Sequence, residues 1–307
     1  MRELLRPSRL APGARVAVVA PSGPVPEERV QAGLDLLRGW DLDPLVAPHV
    51  LDRHGGFDYL AGTDADRAAD LQAAWCDPSV DAVLCARGGY GAQRMVDLLD
   101  WDAMRAAGPK VFVGFSDITV LHQAFANRLG LVTLHGPAAA GVDFIKHARA
   151  QEHLRATLFA PERVRTLVST GTALVAGRAR GVTLGGCLSM LTSDLGTPHA
   201  HDGARGGLLL IEDVGERPYR IDRMLTQLLR SGWLDGVTGI ALGSWVKCGP
   251  YEEVRAVLAD RLGRLGVPVV EEFGFGHCEG ALTMPFGVTA ELDAAAGTLT
   301  LDEPALR

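Results

Sequence analysis

The sequence predicts an α/β protein in two parts: a doubly wound N-terminal domain, then a second α/β domain with antiparallel C-terminal strands. Short, wholly apolar runs alternate with amphipathic segments through the first 145 residues, the pattern of a parallel sheet covered on both faces. A charged stretch over 146–165, with no strong strand signal, interrupts it. Apolar runs then resume, and the last two, VTAELDAA and GTLTLD, alternate apolar and polar residues around a turn near Ala296-Gly297, as an antiparallel hairpin does.

The elements follow in order. VAVVA at 16–20 is bounded by Pro21-Ser22-Gly23-Pro24, so it reads as a buried strand ending in a loop. Over 27–40, Val30, Gly33, Leu34 and Leu37 fall on one helical face, with Gly39 near the end. LDPLVA near 42–47 is a weaker strand. Thr63 is placed to cap a helix, with Asp66 at its acidic third position; that helix stops before Pro78. VDAVLCA at 80–86 is a third strand and runs into Arg87-Gly88-Gly89-Tyr90-Gly91. VFVG at 111–114 is a fourth, turning at Phe115-Ser116-Asp117 into a helix; LVTLH at 131–135 is a fifth. Residues 1–145 therefore form a doubly wound, flavodoxin-like domain, 146–165 a linker, and 166–307 the second domain. In that domain strands are expected near 166–168, 207–213, 237–245 and 267–273, with helices at 186–195, 219–230 and 251–265.

Composition bounds the function. The net charge of −7 argues against a nucleic-acid partner, which would favour a basic balance. No window approaches the roughly 18 apolar residues of a membrane span, and no apolar segment follows the three arginines of residues 1–12, so neither a membrane nor a secretory signal is expected. Five widely spaced cysteines without a C-x-x-C pair read as thiols in a reducing compartment. His199 and His201 lack the carboxylates or thiolates of a metal site and read as a polar loop. A homodimer is allowed but not required.

Three segments carry chemistry. In Gly114-Phe115-Ser116-Asp117 a serine sits between strand and helix, where a sharp turn exposes its hydroxyl at a helix N-terminus. The second glycine of G-x-S-x-G is replaced by Ile118, and a plain helix cap would use the same residues. Arg87-Gly88-Gly89-Tyr90-Gly91 ends a neighbouring strand, so the Gly89 and Asp117 amides could form an oxyanion hole. A phosphate loop would need G-x-G-x-x-G or a Walker lysine, and neither is present. A serine nucleophile needs a base and an orienting acid. Of nine histidines, His277 in Gly274-Phe275-Gly276-His277 follows a strand within a glycine-rich turn. Glu212 ends the apolar strand LLLIE, with Asp213 and Glu216 as competitors; strand alternation sends Glu212 and Asp213 to opposite sides. Arg87, ahead of the glycine loop, could grip a substrate carboxylate or tie its own loop through backbone carbonyls.

Several segments in order, VAVVAPSGPV, ARGGYGAQRMVDLLD, FVGFSDITVLHQAF, TLHGPA, GVTLGGCLSMLTSDLGTP, LLIEDVGERPYRIDRMLTQL and GFGHCEGALTMPFG, together resemble the LD-carboxypeptidase family. That family comprises muramoyltetrapeptide carboxypeptidases and related microcin C immunity proteins. The resemblance implies a Ser-His-Glu triad of Ser116, His277 and Glu212 across two α/β domains, with the Gly89 and Asp117 amides as oxyanion hole. It implies a cytoplasmic serine peptidase that frees a terminal D-amino acid, D-Ala, from murein tetrapeptide, with no metal or organic cofactor. Cys187 stands where many relatives resemble GGN, and residues after His277 vary. No aromatic-rich insertion near GGCLSML is present to stack a nucleobase, which favours a murein peptide over a peptidyl-nucleotide. A non-enzymatic binding module built on the glycine loops is the remaining alternative.

Overall fold

A computed structural model describes residues 4–307. Its first sheet starts from β1 (Arg15–Val19), β2 (Asp43–Val46), β3 (Ala82–Cys85), β4 (Val111–Gly114) and β5 (Thr133–His135). These run parallel in the order β2-β1-β3-β4-β5, the doubly wound order whose ligand crevice opens at the β1/β3 switch point. The strands are short and apolar because both faces are covered: Val16, Val83, Phe112 and Val113 are fully buried. The helix Glu27–Arg38 buries Val30, Gly33, Leu34 and Leu37, the face expected from their spacing. A Cβ at Gly33 would lie 1.9 Å from the Ala139 carbonyl oxygen, so only glycine allows this approach. Thr63 Oγ1 accepts from the Asp66 amide and donates to its carboxylate, capping Asp64–Cys76.

The second sheet is mixed and has eight strands among the described residues. β6 (Thr166–Val168), β7 (Ala173–Val175), β8 (Arg178–Cys187), β9 (Gly207–Val214), β10 (Gly239–Val246) and β11 (Val269–Val270) are followed by β12 (Met284–Phe286), β13 (Thr289–Asp293) and β14 (Thr298–Leu301). Its core is the parallel run β8-β9-β10-β11; β13 and β14 form the antiparallel hairpin, with Gly297 at φ 63° in the turn. The chain is thus mixed α/β with one largely parallel sheet and one with antiparallel strands.

Several features differ from what the sequence predicts: the strand expected at 267–273 is only Val269–Val270, and the segment 146–165 carries the helix Ala148–Phe159. The expected helix at 186–195 spans only Leu188–Ser193, and the ten-residue strand β8 precedes it. Arg178 and Arg180 alternate outward on β8 and are paired with Asp293 and Asp302, while three glycines dilute its apolar signal. Strand β12 leaves the second half and pairs antiparallel with β5, Met284 opposite His135. That crossing sets the carboxyl end of β4 and β5 against the carboxyl end of β9.

Candidate active site

Ser116 follows β4 at φ 66°, a left-handed conformation that costs a non-glycine residue roughly 1 kcal/mol or more. The turn around it is packed backbone to backbone. A Cβ on Gly88 would lie 2.8 Å from Ser116 Cβ and 2.9 Å from the Phe115 carbonyl oxygen. Gly114 leaves room for Ile118, whose Cγ2 would come within 2.8 Å of a Cβ there. Ile118 thus occupies space that a second glycine would leave empty, and the sharp turn survives without it. Among the described residues neither the Gly89 nor the Asp117 amide donates a loop or turn backbone hydrogen bond; Gly89 is held at φ 107°.

Buried side chains brace these loops. Asp117 Oδ2 accepts from Ser22 Oγ at 2.6 Å and from the Ala92 amide at 2.8 Å, tying the ends of β1 and β3 to the serine turn. Burial raises the Asp117 pKa, against the lowering effect of those bonds. Arg67, 1% exposed, donates to the Pro21 and Gly91 carbonyls and pairs with Asp64. His122 joins the Gly114 carbonyl at 2.9 Å to Thr133 Oγ1 at 2.8 Å, and burial lowers its pKa to about 4. Ser22, Arg67 and His122 carried no signal on their own; VAVVAPSGP marked only a loop.

From the second sheet, β9 alternates as expected. Glu212 faces the first sheet with 0% exposure, and its Oε2 accepts from His277 Nδ1 at 2.7 Å and the His277 amide at 3.2 Å. Asp213 faces the other way, accepts from the Ser189 amide at 2.7 Å and contacts Cys187 Sγ at 3.3 Å. Cys187 therefore leans on the competing carboxylate rather than on Glu212. Glu216 stands 2.8 Å from Arg220. Gly276, at φ 91°, presses on Glu212: a Cβ there would fall 2.4 Å from its Cγ and Oε2. Burial pulls the His277 pKa down, but the Glu212 charge and hydrogen bond, with Asp213, outweigh it and the net shift is upward.

The His277 ring is 18% exposed and lies 4.8 Å from the ring of Phe115, the residue before Ser116. No hydrogen bond joins Ser116 to His277 among the described residues, as is common before substrate binds. Between the halves, a cavity of about 340 Å³ is lined by Tyr90 and Gln93 on one side and Ser189, Glu216 and Arg220 on the other, within the range of small-ligand clefts. Arg87 Nη1 donates to the Pro24 carbonyl at 2.7 Å, so one arm does tie a neighbouring loop.

His199 bonds Asp97 and Arg128, and burial lowers the His201 pKa to about 4. His49, Asp52 and Asp66 bring ligand atoms within 4.8 Å of one another, and His49 Nδ1 is bonded to Asp70 at 2.7 Å. Among the described residues no helix is long and apolar enough to cross a membrane.

Known proteins share this architecture. Residues 16–136 match the LD-carboxypeptidase N-terminal domain and 180–292 the LD-carboxypeptidase C-terminal domain. A Streptomyces coelicolor protein, named provisionally as a carboxypeptidase, is 83% identical over 100% of this chain and 99% of its own. The murein tetrapeptide carboxypeptidase of Pseudomonas aeruginosa is 34% identical over 91% and 93%. The microcin C7 self-immunity protein MccF of Escherichia coli is 28% identical over 76% and 77%. A solved wild-type structure of a MccF self-immunity protein superposes with a TM-score of 0.87 over 99% of this chain and 100% of that one, at 23% identity, a likeness of fold. The chain belongs to the LD-carboxypeptidase family, peptidases that include murein tetrapeptide carboxypeptidases and MccF.

Proposed function

We propose that this peptidase is a cytoplasmic serine-type LD-carboxypeptidase that releases the terminal D-Ala from murein tetrapeptide during peptidoglycan recycling. One observation carries the reading: a buried Glu212–His277 pair from one sheet faces a left-handed serine turn at the edge of the other. Neutral His277 takes the proton of Ser116 as Oγ attacks the amide carbonyl. Its Nδ1–H points at Glu212, which leaves Nε2 as the base and stabilises the imidazolium as it forms. The oxyanion is received by the Gly89 and Asp117 amides. Imidazolium then protonates the leaving D-amino acid, and water, activated in the same way, clears the acyl-enzyme.

A carboxypeptidase must also read a free terminal carboxylate. Arg87 spends one donor on Pro24, and among the described residues the charges acting on it are those of Arg29 and Arg53, not of a carboxylate. Its remaining guanidinium donors would meet the substrate carboxylate. Mass spectrometry of murein tripeptide, tetrapeptide and pentapeptide after incubation tests the reading. Tetrapeptide should lose one alanine residue, as free D-Ala, while tripeptide stays intact. An untouched tetrapeptide beside a cleaved peptidyl-nucleotide would overturn it.

A further inference from the structure

Around the Glu212–His277 pair, buried polar atoms lack hydrogen-bond partners among the described residues: both ring nitrogens of His135, Oε1 of Glu212 and Oγ1 of Thr283. His135 is 1% exposed and Glu212 0%. His135 Nε2 lies 4.0 Å from Glu212 Oε1, about 1 Å beyond a direct N–H···O bond. Buried polar groups in native proteins are almost always paired, by one another or by an ordered water. Here two unpaired partners face each other beside the candidate catalytic residues.

The position of His135 fits a linking role. It ends β5, in register with Gly114 of the serine strand on one side and Met284 of β12 on the other. The rings of Phe115, Phe275 and Phe286 enclose it at 6.0, 6.1 and 5.4 Å. Burial lowers its pKa well below the ordinary value, helped by His122 and His277, so the ring is neutral and carries one N–H.

We propose that His135 is a positioning residue for the reaction: its Nε2–H holds Glu212 Oε1, directly or through one water, so that Oε2 stays aimed at His277 Nδ1. This rests on the reading that Glu212 and His277 serve Ser116. A carboxylate held at one oxygen can rotate; held at both, it has one orientation. The donor also draws charge from the carboxylate and so moderates how firmly His277 keeps its proton. The other titratable groups that act on the pair or on His135 are Asp213 on the opposite side of β9, Cys187 at the end of β8, Cys278 next to His277, and His122 with its ring 6.0 Å from that of His135.

The test pairs His135→Gln with His135→Asn. A glutamine amide reaches to where Nε2 stood, and an asparagine amide to where Nδ1 stood. Both lose the same ring packing, so the difference between them isolates the donor. His135→Asn should lower kcat by about 10- to 100-fold, with KM little changed. Its acidic limb should move to higher pH. His135→Gln should stay within about threefold of the parent in kcat, with its limb unmoved. The His277 imidazole titration, followed by NMR in a Ser116→Ala background, needs no turnover and should move upward only with His135→Asn. Equal losses in the two variants, or an unmoved His277 titration in both, would overturn the proposal. Turnover surviving Ser116→Ala would instead sink the triad reading, and the NMR titration would still report on His135 and Glu212.

Discussion

The carboxyl end of β4 and the carboxyl end of β9 hold their candidate residues by different means. At β4 the backbone does it: Ser116 at φ 66°, Gly88 against its Cβ, and Gly114 making room for Ile118. At β9 side chains do it: Glu212, wholly buried, grips His277 through ring and amide together. A backbone device is rigid and tolerates the loss of the hydroxyl it presents. A buried carboxylate bonded to an imidazole is sensitive, because removing one member leaves the other desolvated and unpaired. The two halves should therefore fail differently when altered.

The largest expected effect is at Ser116. Ser116→Ala should cut turnover by about three orders of magnitude or more while the protein stays folded. Ser116→Gly should be equally inactive yet about 1 kcal/mol more stable than Ser116→Ala, since glycine accepts the left-handed backbone. Thermal melts beside rate assays check both. A glycine variant no more stable than the alanine variant would mean that the turn is not strained.

Next comes β9, where neighbouring carboxylates separate chemistry from structure. Glu212→Gln should lower kcat by roughly two to four orders of magnitude, as loss of an orienting acid does. Asp213→Asn should leave the chemical step near normal but cost about 1 kcal/mol of stability, because it weakens the cap on the Ser189 amide. A silent Glu212→Gln beside a dead Asp213→Asn would invert the assignment of the two strand faces.

These two regions also differ in how far the sequence exposed them. The serine turn was legible locally, since strand, turn and helix all lie within a dozen residues around Ser116. Glu212 and His277 are 65 residues apart; alternation on β9 separated Glu212 from Asp213, but only the family resemblance joined it to His277. β8 was illegible because outward arginines and inward glycines hide a buried strand. The pairing of β12 with β5 is a long-range event that no local pattern records. His135 lay in LVTLH, read merely as a strand.

A smaller effect lies in pH. His277 must be neutral to act as a base, and its pKa is raised in the fold above its ordinary value near 6.5. Activity should therefore fall as pH drops through that raised value, so the acidic limb of kcat/KM should lie above pH 6.5. A profile flat down to about pH 5 would contradict a histidine base. The smallest change concerns recognition. Arg87→Lys keeps charge but loses the fork, and should raise KM for tetrapeptide several-fold with kcat nearly constant. It should also narrow the preference over a C-terminally amidated analogue. Equal losses on both substrates would confine Arg87 to its bond with Pro24.

That the two halves act as one site is tested most directly by a serine-directed phosphonylating probe, with the modified residue mapped by peptide mass spectrometry. The protein should be labelled at Ser116, rapidly in the parent and at least about a hundredfold more slowly in His277→Ala, because the hydroxyl then has no base. Labelling at another residue, or at Ser116 with equal speed in both proteins, would contradict the account.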